Sequence, residues 1–330
     1  MNYQSVIVTK RGGPEALQIV ENELRAPAAG QARVKILATG VCQDDVAARV
    51  GNRPFLPKVP FVPGYTMVGV VDAVGQGVTE VAEGDRVGAL TQLGSYAEYI
   101  CWDAKKLVRV PTSLDPAEAV TLILNYLVPY QVMHRVVQVQ AGDKVLIVGA
   151  SGGVGTAFLQ LGKLANLQMY GLASKSKHDV LTEYGATPID YRTQDFVKVI
   201  RQAEPDGIDF VFNGMAEEYF ARGLAVLRRG GVLVHYGGPE SFAGFLRLVA
   251  RLLWSNLLPN GKSVKGYGTH RVDQQILVED WPALFTLLEE GKIRPIIAAR
   301  FPILEAAQAN ALLESGQVIG NIVLLAPELL

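Results

Sequence analysis

The apolar and polar positions of this chain change rhythm twice along its length. Up to about residue 120 the apolar residues come in short runs, several alternating with polar neighbours: Val6-Ile-Val8, Ala32-Arg-Val-Lys-Ile-Leu-Ala38, Val68-Gly-Val-Val-Asp-Ala-Val74, 81–87, 94–100 and Leu107-Val-Arg-Val110. A period of two marks a strand with one buried face. Gly75-Gln-Gly77 and Gly84-Asp85 place turns between the runs. Many short strands punctuated by glycine and proline predict a compact, β-rich, barrel-like domain, with one helix inserted at 44–49.

Around Ala117 the spacing becomes helical over a mostly apolar stretch, with Pro129 as a break or kink. From residue 144 strands and helices alternate. Strands are expected at 144–148, 168–173, 188–190, 208–212 and 231–236, and helices at 154–165, 177–184, 194–203 and 216–228. That alternation predicts a doubly wound parallel sheet whose ligand lies at the carboxyl ends of its strands. Beyond it, 242–258 reads as a strongly apolar helix, 263–268 as an edge strand open to dimer pairing, and 281–291 as an amphipathic helix ending at Gly291. Residues 293–325 return to short strands and one helix, 304–313, a piece expected to rejoin the first domain. The expected division is 1–121 with 268–330, and 122–267.

The densest chemical signal is Val145-Leu-Ile-Val-Gly-Ala-Ser-Gly-Gly-Val-Gly155. A buried strand runs into a glycine-rich turn and then a helix, the unit that seats a pyrophosphate on free N–H groups at a helix N-terminus. Ala150 stands where the first glycine of G-x-G-x-x-G would be, and Gly152, Gly153, Val154 and Gly155 complete the turn. At the end of the next strand a ribose 2′-hydroxyl would call for Asp or Glu. The stretch 167–178 has no acid and reads Ser174-Lys175-Ser176-Lys177-His178. Cations and hydroxyls suit a 2′-phosphate, which favours NADPH over NADH. Gly237-Gly238 would let the backbone pass close to the cofactor.

Bulk properties narrow the field. A chain of 330 residues is long for one core and suits two domains. Its net charge of −1 gives no nucleic-acid footprint. Two cysteines, Cys42 and Cys101, are too few for a disulfide framework, and reduced thiols point to a cytoplasmic protein. The first residues lack the apolar core of a signal peptide. No apolar run reaches the roughly 18 residues of a membrane span.

Taken together, the blocks Gly40-Val-Cys-Gln-Asp-Asp45, Pro60-Phe-Val-Pro-Gly64, Gly69-Val-Val, Gly75-Gln-Gly-Val, Gly84-Asp-Arg-Val87, Gly94-Ser-Tyr-Ala-Glu-Tyr99, the glycine-rich turn and Gly185-Ala with Ile189-Asp-Tyr191 resemble the medium-chain dehydrogenase/reductase superfamily in its zinc-free quinone oxidoreductase branch. Leu124-Asn-Tyr126, 173–178 and Gly291-Lys-Ile-Arg-Pro295 also resemble its synaptic-vesicle membrane protein subgroup. The resemblance implies a GroES-like β-rich catalytic domain plus a Rossmann domain, with the active site in the cleft between them. It implies NADPH held by Ala150, Gly152, Gly153, Val154 and Gly155, with Ser174, Ser176 and Lys177 near the 2′-phosphate, Tyr191 beside the adenosine end, and Asn213 and Gly237 lining the groove. It also implies a homodimer or homotetramer.

Zinc-dependent relatives hold a catalytic metal with a cysteine, a His-Glu pair and a further Cys or Asp. Here Cys42 stands at the cysteine position, but Tyr65-Thr66 replaces His-Glu, and the four histidines are scattered, so no metal is expected. Cys42 is expected to be a small buried apolar residue, with a thiol facing the cleft as the alternative. Without a Lewis acid, alcohol oxidation is difficult, whereas an electrophilic quinone or enone needs only orientation and a hydrogen-bond donor. The candidate catalytic groups are Gln43, Asp45, Tyr65 and Asn125. Each has a plainer reading. Tyr65 fills the space left by zinc, Asp45 caps a helix, Gln43 faces solvent, and Asn125 satisfies local backbone. Val128, Asn52-Arg53 and Asn321 depart from the pattern of quinone reductases, Asn321 standing where lysine is frequent. An NADPH-dependent quinone or enone reductase leads the readings. A pathway-specific enoyl reductase follows, and then an NADPH-binding protein that meets a partner or membrane through 242–258.

Overall fold

The structure, a computed structural model, describes every residue except 54–55, 216–217, 239–240, 258–260, 270–271 and 273; at 245, 248, 252, 254, 255, 257, 274 and 275 it describes the backbone alone. His270 and the expected helix ends at 216–217 and 258 fall outside the described residues. In chain order come β1 (Asn2–Val8), β2 (Leu17–Glu23), β3 (Gln31–Val41), α1 (Gln43–Val50), β4 (Thr66–Val74), β5 (Arg86–Leu90), β6 (Tyr99–Asp103), β7 (Val108–Arg109), α2 (Pro116–Thr121) and α3 (Leu127–Gln131). Next come β8 (Lys144–Val148), α4 (Gly153–Leu164), β9 (Gln168–Ala173), α5 (His178–Glu183), β10 (Thr187–Asp190), α6 (Phe196–Ala203), β11 (Ile208–Asn213), α7 (Glu218–Val226), β12 (Leu227–His235), α8 (Phe242–Leu257) and β13 (Ser263–Gly266). The chain ends with α9 (Gln274–Glu289), β14 (Ile297–Pro302), α10 (Ala306–Glu314) and β15 (Asn321–Leu325). Two compact units result, Met1–Leu127 with Asp273–Leu330, and Val128–Val272. The changeovers expected at 121/122 and 267/268 lie a few residues before these.

In the first unit β1 and β2 form an antiparallel hairpin, and the main sheet runs β14-β15-β3-β4-β5-β7 with β6 also paired to β3. The C-terminal segment enters this sheet as an interior strand: β15 lies antiparallel to β3, with Leu324 opposite Thr39. All five residues of β15 are buried, Asn321 followed by four apolar side chains. β3 instead alternates, with Ala32, Val34 and Ile36 buried and Arg33 and Lys35 half-buried. Val34 joins a cluster with Met67, Val71 and Val87, while Ile36 joins Val6, Tyr96, Ile322 and Leu324. α9 starts seven residues before the expected 281, so Trp281 lies inside it. Trp281 is fully buried and donates its Nε1–H to the Ile123 carbonyl at 3.1 Å.

The second unit is a six-stranded sheet in the order β10-β9-β8-β11-β12-β13, every neighbouring pair parallel. Counted within the unit this is 3-2-1-4-5-6, the doubly wound order, and the winding reverses between β8 and β11. Leu146, Leu172, Val211 and Leu233 fill the core with Phe196 and Ile200. Phe158 of α4 stacks on Phe212 of β11, centroids 4.6 Å apart. β12 begins at Leu227, not at the expected Gly231: its pairing with β11 shifts register between Ile208 and Phe210, so the strand carries Gly230-Gly231 as an irregularity. β13 stops at Gly266 and lies at the sheet edge. α8 exposes Phe242, Leu246, Val249 and Leu253, which share one helical face. Among the described residues no helix is long and apolar enough to cross a membrane.

Replacing Trp281 by Ala should cost about 3–5 kcal/mol and leave the Ile123 carbonyl unpaired. A lowered urea midpoint in the first unit's unfolding, read against the unchanged wild-type slope, is the expected result.

Candidate active site

β8 and β11 end side by side, Val148 level with Asn213. The turn after β8 leads into α4, whose N-cap is Gly152 and receives no side-chain cap. Gly153, Val154 and Gly155 form the first turn, where helical N–H groups have no intrahelical partner. Two glycines there differ in cause. A Cβ on Gly155 would lie 2.2 Å from the Gly149 oxygen and 2.7 Å from the Ala150 Cα, so the helix can seat against the turn only with glycine. A Cβ on Gly152 would meet only the Gly149 oxygen, at an ordinary 3.6 Å. Protein packing does not require glycine at 152; a ligand passing over it would. The expectation for Ala150 needs correction. It is fully buried and its N–H donates to the Leu172 carbonyl at 3.0 Å, so it holds β9 and has no amide left for a phosphate.

At the ends of β9 and β10 lie the residues expected near a 2′-phosphate. Ser174 is buried, Ser176 is exposed, and their Oγ atoms stand 3.4 Å apart. Burial and the nearby Arg192 guanidinium lower the Lys177 pKa, so two cations converge here. Arg192 was missed in the sequence; its only signal is a cation directly after Tyr191. Its guanidinium lies 5.7 Å from the Tyr191 ring centroid, and that ring is 43% exposed. The neighbouring acid is already committed: Asp190 accepts from Thr193 Oγ1 at 2.8 Å and the Arg192 N–H at 3.1 Å.

On the other side of the switch point Asn213 is fully buried. Its Oδ1 accepts from the Met215 N–H at 2.9 Å, while its Nδ2 has no hydrogen-bond partner among the described residues. A buried amide donor left over at a strand end fits a groove that a ligand completes. Gly237 has a local cause: a Cβ there would lie 2.6 Å from the Gly214 oxygen, and one on Gly214 would lie 2.3 Å from the Tyr236 ring. Two chain segments cross here, which explains the glycine without a cofactor.

In the first unit α1 starts at Gln43, one residue before expectation. Gln43 is exposed at its first position. Asp45 is 2% exposed and its carboxylate takes four hydrogen bonds: from the Cys42 N–H at 3.0 Å, Cys42 Sγ at 3.2 Å, the Gly64 N–H at 2.9 Å and Tyr96 Oη at 3.2 Å. Burial pushes its pKa up to about 6, against the pull of those donors. Asp45 therefore fastens the α1 N-terminus to the loop before Tyr65, the capping role, and is closed off from a ligand. Cys42 is not an apolar filler but a half-buried thiol that donates to Asp45, and burial beside Asp45 and Asp44 raises its pKa well. Arg53 pairs with Asp44. Tyr65 is half-buried, and its carbonyl accepts from the Thr91 and Gln92 N–H groups at 2.8 and 3.0 Å.

Asn125 lies apart from that group, in the π-helical stretch Leu122–Tyr126. Pro129, four residues on, has no N–H to give the Asn125 carbonyl, which explains the widened turn. Its Nδ2 donates to Asn321 Oδ1 across 196 residues of chain, so this arm of the amide is spent on a distant strand and not on local backbone.

An open parallel sheet with an uncapped, glycine-built helix N-terminus at its switch point is the Rossmann-like architecture. Residues 28–112 match the family described as alcohol dehydrogenase GroES-like domain, and 184–324 the one described as zinc-binding dehydrogenase. The chain is 32% identical to the human synaptic vesicle membrane protein VAT-1 homolog over 97% of this chain and 85% of that protein. It is 30% identical to a 2-haloacrylate reductase of Burkholderia sp, over 97% and 98% of the two chains. The crystal structure of Escherichia coli quinone oxidoreductase complexed with NADPH is similar with a TM-score of 0.87 at 26% identity, covering 98% of this chain and 99% of that one. The chain belongs to the medium-chain dehydrogenase/reductase superfamily, a family of oxidoreductases.

One matched family is named for zinc, and the donor set here does not fit that ion. Cys42 is a protonated thiol committed to Asp45, Thr66 Oγ1 accepts from the Gly40 N–H at 3.2 Å, and Tyr65 offers a phenol. Among the described residues no three His, Cys, Asp or Glu side chains cluster to hold a metal.

Asp45 makes a pH prediction. Its folded pKa of about 6 exceeds the unfolded value near 3.8, so the folded protein binds this proton more tightly. The stability it contributes is full below about pH 4 and is lost as pH rises through 6, on the order of 3 kcal/mol. The difference in urea midpoint between wild type and Asp45→Asn should therefore fall between pH 4 and 7; a flat difference would show an unshifted carboxyl.

Proposed function

We propose that this protein is an NADPH-dependent reductase of quinones or α,β-unsaturated carbonyl compounds that works without zinc. The observation that carries this reading is the uncapped N-terminus of α4 together with, in the same unit, the Lys177–Arg192 pair beyond β9 and β10. The first suits a pyrophosphate and the second a 2′-phosphate. The names of two similar proteins support the acceptor class, a 2-haloacrylate reductase and a quinone oxidoreductase complexed with NADPH.

Gly153, Val154 and Gly155 would bind the pyrophosphate through their N–H groups, with Gly152 leaving room. Ser174, Ser176, Lys177 and Arg192 would bind the 2′-phosphate, Tyr191 would cover the adenosine end, and Asn213 Nδ2 would donate to the bound cofactor. Bound there, NADPH would supply a hydride for the electrophilic carbon of the substrate, and the electron pair displaced onto the carbonyl oxygen would take a proton from water. Tyr65 is the donor best suited to that oxygen, with the Gln43 amide as the alternative. Asp45 holds both residues' segments in place. Cys42, Tyr65 and Thr66 make a poor zinc donor set, and without such an ion to lower a hydroxyl pKa these groups favour reduction of activated carbonyls over oxidation of alcohols. The β13 edge supports a homodimer, and the apolar face of α8 supports a second reading, an NADPH-binding protein that meets a partner or membrane there.

NADPH oxidation should persist in EDTA with a quinone, a cyclic enone or a linear enone as substrate, and should exceed NADH oxidation. Lys177→Ala and Arg192→Ala should each raise KM for NADPH about 10–100-fold, the worth of a charge-assisted hydrogen bond, and leave KM for NADH nearly unchanged. Equal losses for both cofactors would reject the 2′-phosphate seat. Gly152→Ala should bind NADPH poorly yet unfold in urea like wild type. Gly155→Ala should lose about 1–3 kcal/mol of stability.

A further inference from the structure

Two side-chain amides settle each other's orientation. Asn321, at the start of β15, is 3% exposed. Its Nδ2 donates to the Ile296 carbonyl at 2.9 Å, and its backbone N–H donates to the same oxygen at 2.8 Å. A carbonyl only accepts, so the arm of Asn321 facing Ile296 is its NH2, and its other arm is the oxygen. That oxygen meets Asn125, and it also only accepts. Asn125 must therefore turn its NH2 inward. What this half-buried residue has left over is its carboxamide oxygen, to which none of the described residues donates.

We infer that Asn321 is a positioning residue that locks Asn125 as a hydrogen-bond acceptor, so that this site selects an unsaturated carbonyl substrate carrying its own hydroxyl or N–H over the same skeleton without one. The inference rests on the reductase reading, with Asn125 facing the substrate. A simple quinone or enone brings only acceptor oxygens, and an oxygen facing Asn125 Oδ1 has no proton to share. A substrate hydroxyl supplies that proton. The lock holds because both ends are fixed: Asn321 by the strand backbone, Asn125 by its helical turn.

The test compares cyclohexenone with its γ-hydroxy derivative in the wild type and three variants, with NADPH. Wild type should favour the hydroxylated substrate about fivefold in kcat/KM, chiefly through KM, the worth of one neutral hydrogen bond. Lysine has donors only, so Asn321→Lys should turn Asn125 round and invert the preference. Asn321→Asp still accepts from Asn125 and should keep it. Asn321→Leu, which serves if the lysine variant does not fold, should bring the ratio towards one. No preference in wild type, or an unchanged ratio in Asn321→Lys and Asn321→Leu, overturns the inference. Hydrogen exchange of the Asn125 side-chain NH2 separates it from the reductase reading. If neither substrate turns over, slow exchange in wild type and fast exchange in Asn321→Leu uphold the lock while substrate selection falls with that reading. Equal exchange overturns the lock itself.

Discussion

The cofactor unit depends on one close approach. The first turn of α4 presses on the end of β8 because position 155 carries no Cβ, and a single methyl there would sit 2.2 Å from a backbone oxygen. That contact brings the helix N-terminus over the point where the sheet reverses direction. Three backbone N–H groups are then presented together, without a capping side chain to occupy them. The buried Asn213 amide at the end of the neighbouring strand adds a donor that the protein itself leaves unused. The exposed helix N-terminus thus follows from packing: the same glycine that permits helix–strand contact also points the dipole past the end of the sheet.

The first unit is organised by polar burial. Asp45 is a carboxylate taken out of water and compensated by two backbone N–H groups, a thiol and a phenol. Desolvation wins, as its raised pKa indicates, so the group costs stability near neutral pH in exchange for fixing where α1 and the loop at Gly64 meet. The Cys42 thiol is drawn into the same cluster. A cysteine committed to a buried carboxylate, next to a tyrosine and a threonine, has become part of the scaffold that holds Tyr65 and Gln43.

The order of strands and helices, the glycine turn and the absence of an acid after β9 were all legible along the chain, because hydrophobic period and turn chemistry are local. The return of 293–325 to short strands was expected to rejoin the first domain, but that β15 enters its sheet as an interior strand shows only in the structure. Other expectations failed at points where a residue's environment comes from distant chain. Ala150 spends its N–H on Leu172, Gly237 is a glycine because Gly214 crosses it, and β12 begins early because its pairing tolerates a register shift. Arg192 joins Lys177 only once β10 lies beside β9.

By itself the sequence determined a doubly wound sheet and a glycine-rich strand–turn–helix, since each is written in contiguous residues whose spacing and backbone freedom suffice. It left open what the polar side chains of the first unit do. Only the tertiary structure decided that Asp45 is buried scaffold, that Cys42 is its donor, and that Asn125 is held by Asn321. The physical reason is that a polar side chain's role depends on which of its atoms are already hydrogen-bonded, and those partners come from strands and turns far away in the chain.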